Sequence, residues 1–193
     1  MAETQSTMLA LGTRAPSFTL PDVVSGRDVS LETVAGAQAL LVIFVCRHCP
    51  YVKHVQAELA RLGRDYAARG VGIVAISSND ARAFPADAPE KLAEMARQEG
   101  FVFPMCYDES QAVAQAYTAA CTPDFFLFDA GRSLVYRGQL DGSRPGRHVP
   151  VTGADLRAAL DAVLAGQPVS EVQRPSIGCN IKWKPGNRPS YFA

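Results

Sequence analysis

Short apolar runs alternate with helix-spaced segments along most of the chain. Residues 39–45 (ALLVIFV), 71–77 (VGIVAIS), 101–106 (FVFPMC), 125–129 (FFLFD) and 133–139 (SLVYRGQ) are brief, rich in Val, Ile and Phe, and bounded by Gly, Asp or Ser. Such runs predict the core strands of one sheet. Between them, residues 51–69 place Val52, Val55, Leu59, Leu62 and Tyr66 at steps of three and four, which predicts a long amphipathic helix. Shorter helices are predicted over 88–99 and 110–117, and another over 152–166, opened by a Thr152 cap and closed by Gly166.

Strands alternating with helices predict an α/β fold with a central mixed sheet flanked by helices. The stretch 129–134 (DAGRSL) reads as a tight hairpin that makes the far edge antiparallel, and residues 15–31 read as a small N-terminal β-hairpin. The last stretch, 167–193, is rich in Pro and Gly and has no helical period. It reads as an irregular C-terminal arm packed on a domain that spans 1–166.

Composition narrows the function. At 193 residues the chain can bury a core without a staple of disulfides or metal. Its 19 basic and 19 acidic side chains balance, with no basic stripe, so neither nucleic acid nor an anionic membrane is expected as a partner. The start has no basic region followed by a long apolar one, and residues 39–45 are too short to cross a bilayer. A cytoplasmic location follows as an expectation. Thiols stay reduced there, so five cysteines are not expected to form a structural disulfide framework.

The stretch FVCRHCPYVKH carries Cys46 and Cys49 two residues apart, between a predicted strand and the long helix. A pair on a strand-to-helix turn suits redox chemistry, half of a metal site, or plain packing. Unpaired amides and the positive end of the helix dipole are expected to point at Cys46 and stabilise its thiolate. Arg47 and His48 add positive charge beside it. Cys46 then attacks a disulfide or peroxide, and Cys49 displaces the product by closing a disulfide.

Five stretches, FVCRHCPYVKH, AISSND, CTPDFFLFD, LVYRGQLDGSRPG and PSIGCNIKWKPGN, resemble the peroxiredoxin-like branch of the thioredoxin-fold proteins. The N-terminal hairpin resembles that of the redoxin group, which includes the alkyl hydroperoxide reductase and thiol-specific antioxidant proteins. The resemblance spans roughly residues 11–187. It implies a thioredoxin-like fold in which Pro123 is a cis-proline facing the Cys46–Cys49 pair. It also implies that Thr122 and Pro123 wall the substrate side, with the Thr122 backbone free to pair with a bound peptide.

Departures from the family pattern refine this. The peroxiredoxin Pro-x-x-x-Thr-x-x-Cys pattern, counted back from Cys46, finds Ala39 and Ile43, so the peroxide-activating hydroxyl is missing. The buried acid that thioredoxins carry six residues before the first cysteine is Leu40 here, so the resolving step needs another base, with His54 and Asp80 as candidates. His48 just before Cys49 resembles the strongly oxidising thioredoxin-fold proteins. A potential above about −270 mV, toward about −120 mV, is the expectation.

The leading expectation is a thiol-disulfide oxidoreductase with an antioxidant, peroxiredoxin-like character and no cofactor. Its partners are an oxidised protein or small-molecule disulfide or peroxide, and a thiol reductant; the oligomeric state is left open. Cys121 and Cys179 are candidate extra resolving thiols, Cys179 by analogy with the C-terminal cysteine of peroxiredoxins that bridge subunits. Cys106 is expected in the core and His148 in a loop. The alternative is a metal carrier using Cys46, Cys49 and Cys121, with His54 or Cys179 completing the shell.

Overall fold

The computed structural model describes residues 3–192. Its centre is a five-stranded sheet whose strands lie in the order β6 (Met105–Tyr107), β5 (Val71–Ser77), β4 (Ala39–Phe44), β8 (Asp124–Asp129) and β9 (Leu134–Gly138). The middle strand β4 (Ala39–Phe44) runs parallel to β5 (Val71–Ser77) and antiparallel to β8 (Asp124–Asp129). All six β4 side chains are buried because both faces of the sheet are covered, which is why the run is apolar throughout and does not alternate.

Ala39, Leu41 and Ile43 face one core layer with the stripe Val52, Val55, Leu59, Leu62 and Tyr66 of α2 (Pro50–Ala67). Helices α3 (Pro89–Glu99) and α5 (Ala154–Leu164) complete that layer through Leu92, Met95, Leu156 and Leu160. Leu40, Val42 and Phe44 face the other layer, with Phe126, Phe128, Tyr117, Cys106 and Ile181. The short α4 (Ala112–Ala116) lies on that side.

Several predicted elements stand as expected, and three are adjusted for local reasons. The N-terminal hairpin is β2 (Thr19–Pro21) with β3 (Asp28–Ser30), followed by a single turn α1 (Leu31–Val34) under a Ser30/Thr33 capping box. The far edge is antiparallel: β8 turns into β9 (Leu134–Gly138), with Asp129 accepting from the Ser133 amide at 2.9 Å. The strand predicted over 101–106 is instead β6 (Met105–Tyr107), because Pro104 has no N–H for the ladder. Gly72 of β5 is required by contact, since a Cβ there would lie 1.9 Å from the Val34 carbonyl oxygen.

The start of α5 is not capped by Thr152. Gly153 takes the cap position with φ 67°, and the Asp141 carboxylate accepts from the amides of Thr152 and Gly153, each at 2.7 Å, and of Ser143 at 2.8 Å. Burial pushes the Asp141 carboxyl up, but the hydrogen bonds from Ser143, Gly153 and Thr152 outweigh it and hold the group below its ordinary value. Asp141→Ala is therefore expected to cost about 2–4 kcal/mol at pH 7. A carboxyl whose folded pKa is depressed stabilises above its unfolded value of ~3.9 and loses that contribution as pH falls through the folded value. Urea unfolding of wild type and variant should show a gap at pH 7 that narrows as pH falls below about 4; a gap independent of pH rejects the assignment.

The C-terminal arm is packed and partly regular. It contributes β10 (Ile177–Asn180) as the middle of a second sheet, β1-β10-β7, between β1 (Glu3–Gln5) and β7 (Cys121–Thr122). Beyond it, the Lys182 amide donates to Asn79 Oδ1 and the Lys184 amide to Gln111 Oε1, both at 2.8 Å. Ile181 is buried in the second core layer.

Candidate active site

The strand-to-helix turn leaves β4 at Phe44 and enters α2 at Pro50, with Cys49 as the residue before the helix. Cys46 and Cys49 are both wholly buried. What pins the turn is Asp87, at the end of a short 3-10 turn (Pro85–Asp87) and itself 0% exposed. Asp87 Oδ1 accepts from the amides of Arg47 (2.8 Å) and His48 (3.1 Å). Its Oδ2 meets His48 Nδ1 at 2.5 Å and accepts from Asn79 Nδ2 at 2.7 Å. The His48 ring is stacked on Phe84, 5.7 Å between centroids. A buried carboxylate with four partners is the arrangement that makes its desolvation tolerable.

Opposite the turn, the Thr122–Pro123 peptide is cis, as the family resemblance implied. Cys46 Sγ lies 3.2 Å from Thr122 Oγ1, and Cys49 Sγ lies 3.2 Å from the Thr122 carbonyl oxygen. One expectation is overturned here. The Thr122 backbone does not stand free for a peptide, because β10 pairs with it, setting Cys179 directly across from Thr122 and Asn180 across from Cys121. The same pairing brings Cys179 Sγ to 2.7 Å from Cys49 Sγ within one chain.

The electrostatics also depart from the expected pattern. The amides of Arg47 and His48 turn to Asp87, and the Arg47 guanidinium pairs with Glu94 at 3.7 Å. Groups that favour a thiolate gather on Cys49 instead, although its thiol also donates to the Thr122 carbonyl. The Cys46 side chain favours its thiolate most, burial opposes it, and Cys179 and the amides of Val52 and Cys179 assist, so its thiol is lowered to about 5. Cys46 is raised well above the ordinary thiol value by its contact with Cys49, by burial and by the Asp87 carboxylate. Burial and the Cys49 sulfur push Cys179 up to about 12. Cys49 is thus the central sulfur of three.

The remaining candidates are placed as follows. Cys121 is buried, but its thiol is turned toward the carbonyls of Pro123 (3.6 Å) and Ser176 (4.0 Å). Burial raises its pKa well above the ordinary value. Cys106 is in the core, where burial pushes it to about 12. His148 is exposed in its loop. Asp80 accepts from the Arg82 amide in a local turn, and His54 lines a small cavity with Pro123 and Phe125. The acid beside the thiols is Asp87. Among the described residues, the ligand-type atoms within 4.8 Å of one another belong to Cys46, His48 and Asp87, not to the expected set Cys46, Cys49 and Cys121. Sequence reasoning missed Asp87 and Asn79, since neither sits at a recognisable spacing from the cysteines.

A central mixed sheet, flanking helices, a dithiol at a strand-to-helix turn and a facing cis-proline define a thioredoxin fold, shared with solved thioredoxin-domain structures at under 25% identity. Residues 11–137 match the AhpC/TSA family, and the chain belongs to that family. It is 30% identical over 116 residues to a Mycobacterium tuberculosis protein named as a peroxiredoxin, covering 60% of this chain and 68% of the relative. It is 30% identical over 128 residues to the thiol-disulfide oxidoreductase ResA of Geobacillus kaustophilus, covering 65% and 67%. A crystal structure of an uncharacterized conserved protein from the same organism matches with TM-score 0.95 at 55% identity, over 96% of this chain and 98% of that one. The family is one of thiol-dependent oxidoreductases and peroxiredoxins.

Proposed function

We propose that the protein is a thiol-disulfide oxidoreductase whose Cys46–Cys49 dithiol passes two electrons to a disulfide substrate and closes into a bridge. The observation that carries this is a Cys-x-x-Cys pair buried opposite a cis-proline, with the Cys46 and Cys179 side chains both set against Cys49 so as to favour its thiolate. Thiolate is the species that opens a disulfide. A thiol reductant then regenerates the dithiol. The reducing cytosol suits a site that rests reduced.

Two features bear on the substrate. Because β10 occupies the Thr122 edge, an extended peptide has no free strand there to join, which favours a small-molecule disulfide. The position where peroxiredoxins carry threonine is Ile43 counted back from Cys46 and Cys46 counted back from Cys49, so neither cysteine has that hydroxyl and peroxide is the slower oxidant. Stopped-flow oxidation of the reduced protein should show rapid reaction with a small disulfide and slow reaction with hydrogen peroxide. Rapid peroxide oxidation would instead make it a peroxidase, and no reaction with either rejects the redox reading.

A further inference from the structure

Cys179 is a third sulfur that a Cys-x-x-Cys mechanism does not use. It touches Cys49 at 2.7 Å, and the contact is built by the backbone. β10 is held on both edges, with Cys179 facing Thr122 on one side and Glu3 on the other. Gly178, next to it, packs so closely on β7 that a Cβ there would lie 2.0 Å from the Thr122 carbonyl oxygen. Ser176 Oγ donates to the Pro123 carbonyl at 2.7 Å, and the Ile181 amide to the Ala120 carbonyl at 3.1 Å. The strand is thus fixed on either side of the cysteine, and its sulfur is presented to Cys49 without a hinge.

The three sulfurs also differ in what surrounds them. Cys46 lies within 4.8 Å of the partly buried His48 and the buried Asp87. Cys179 sits in β10, edge to edge with the three-residue β1, whose Glu3 carboxylate accepts a hydrogen bond from the Tyr51 hydroxyl in the first turn of α2. Cys46 and Cys49 are 0% exposed and Cys179 is 3% exposed. Moving a disulfide from Cys46–Cys49 to Cys49–Cys179 carries it from within the strand-to-helix turn to a link between that turn and β10.

We propose that Cys179 is a third redox thiol that exchanges with the Cys46–Cys49 bridge to form a Cys49–Cys179 disulfide. The proposal rests on the dithiol reading above. Cys179 gives up its proton and its sulfur attacks Cys49 Sγ. The Cys49–Cys179 bond forms as the Cys46–Cys49 bond breaks. Cys46 leaves as a thiolate and takes up a proton. One disulfide is consumed and one is made, so the oxidation state is unchanged and no outside reagent enters. The bridge is intramolecular and centred on Cys49, unlike a bridge between subunits.

The test maps bridges in the full-length wild-type protein. Reduced protein is oxidised with one equivalent of a small aromatic disulfide, quenched in acid, alkylated, and digested for mass spectrometry. Both Cys46–Cys49 and Cys49–Cys179 peptides are expected, and Cys46→Ser is expected to yield the Cys49–Cys179 bridge alone. If wild type yields Cys46–Cys49 only, with Cys179 alkylated in every oxidised molecule, the third-thiol proposal is wrong while the dithiol reading stands. If no bridge to Cys49 forms, the dithiol reading fails as well. The wild-type map decides the matter even if the variant fails to fold.

Discussion

Asp87→Asn, in a Cys49→Ser background that lets Cys46 titrate alone, is expected to lower the pH midpoint of Cys46 alkylation by roughly 1–2 units. The Asp87 carboxylate is one of the causes that hold Cys46 above the ordinary thiol value, and asparagine keeps its shape and an acceptor for the Arg47 and His48 amides while removing its charge and the second acceptor, which takes the Asn79 donor. Ionisation of the thiol stabilises the reduced state, so Asp87→Asn with both active-site cysteines intact should also have a less negative potential than wild type at alkaline pH, where Cys46 titrates. Asp87→Ala goes further. It strips acceptors from the Arg47 and His48 amides, the His48 ring and Asn79 in a buried site, and is expected to cost about 3–5 kcal/mol. Asp87→Asn keeps the hold on the two turn amides that Asp87→Ala gives up. A folded Asp87→Asn protein with an unchanged alkylation profile would show that Asp87 only shapes the turn.

The second large effect concerns Cys49. Because the thiolate-favouring groups converge on Cys49 and Cys179 also touches it, Cys49→Ser should remove every rapid intramolecular bridge and cut disulfide turnover by roughly 10²–10⁴. Cys46→Ser should be the milder loss, since Cys179 is left in contact with Cys49. The comparison uses single-turnover reduction of the same small disulfide, with circular dichroism confirming both folds. Equal losses in the two variants would contradict the central place given to Cys49.

The architecture was legible because each β4 residue is apolar and the α2 stripe keeps its period over four turns; these signals are strong where both sides of an element meet the core. Pro104 shortened a strand whose apolar pattern ran through it. The site was legible only as far as the chain is local. Cys46 and Cys49 announce themselves by spacing, and Thr122–Pro123 by resemblance. Asp87 lies forty residues from Arg47 along the chain, in a loop where one acid looks like any other. Its carboxylate takes the amides that a helix-start argument assigns to the sulfur. Cys179 was visible as a cysteine, but its partner was set by the register of β10 on β7, which no single-chain pattern encodes.

The β1-β10-β7 sheet joins the beginning of the described chain to a segment near its end, with Glu3 across from Cys179. Pairings of such span carry the greatest loop-closure entropy and form after local contacts are in place. The Cys46–Cys49 pair is joined by only two residues and needs no distant segment to gather. The third sulfur reaches Cys49 only where β10 lies between β7 and β1, so whatever loosens that small sheet takes Cys179 away from a dithiol that the strand-to-helix turn holds by itself.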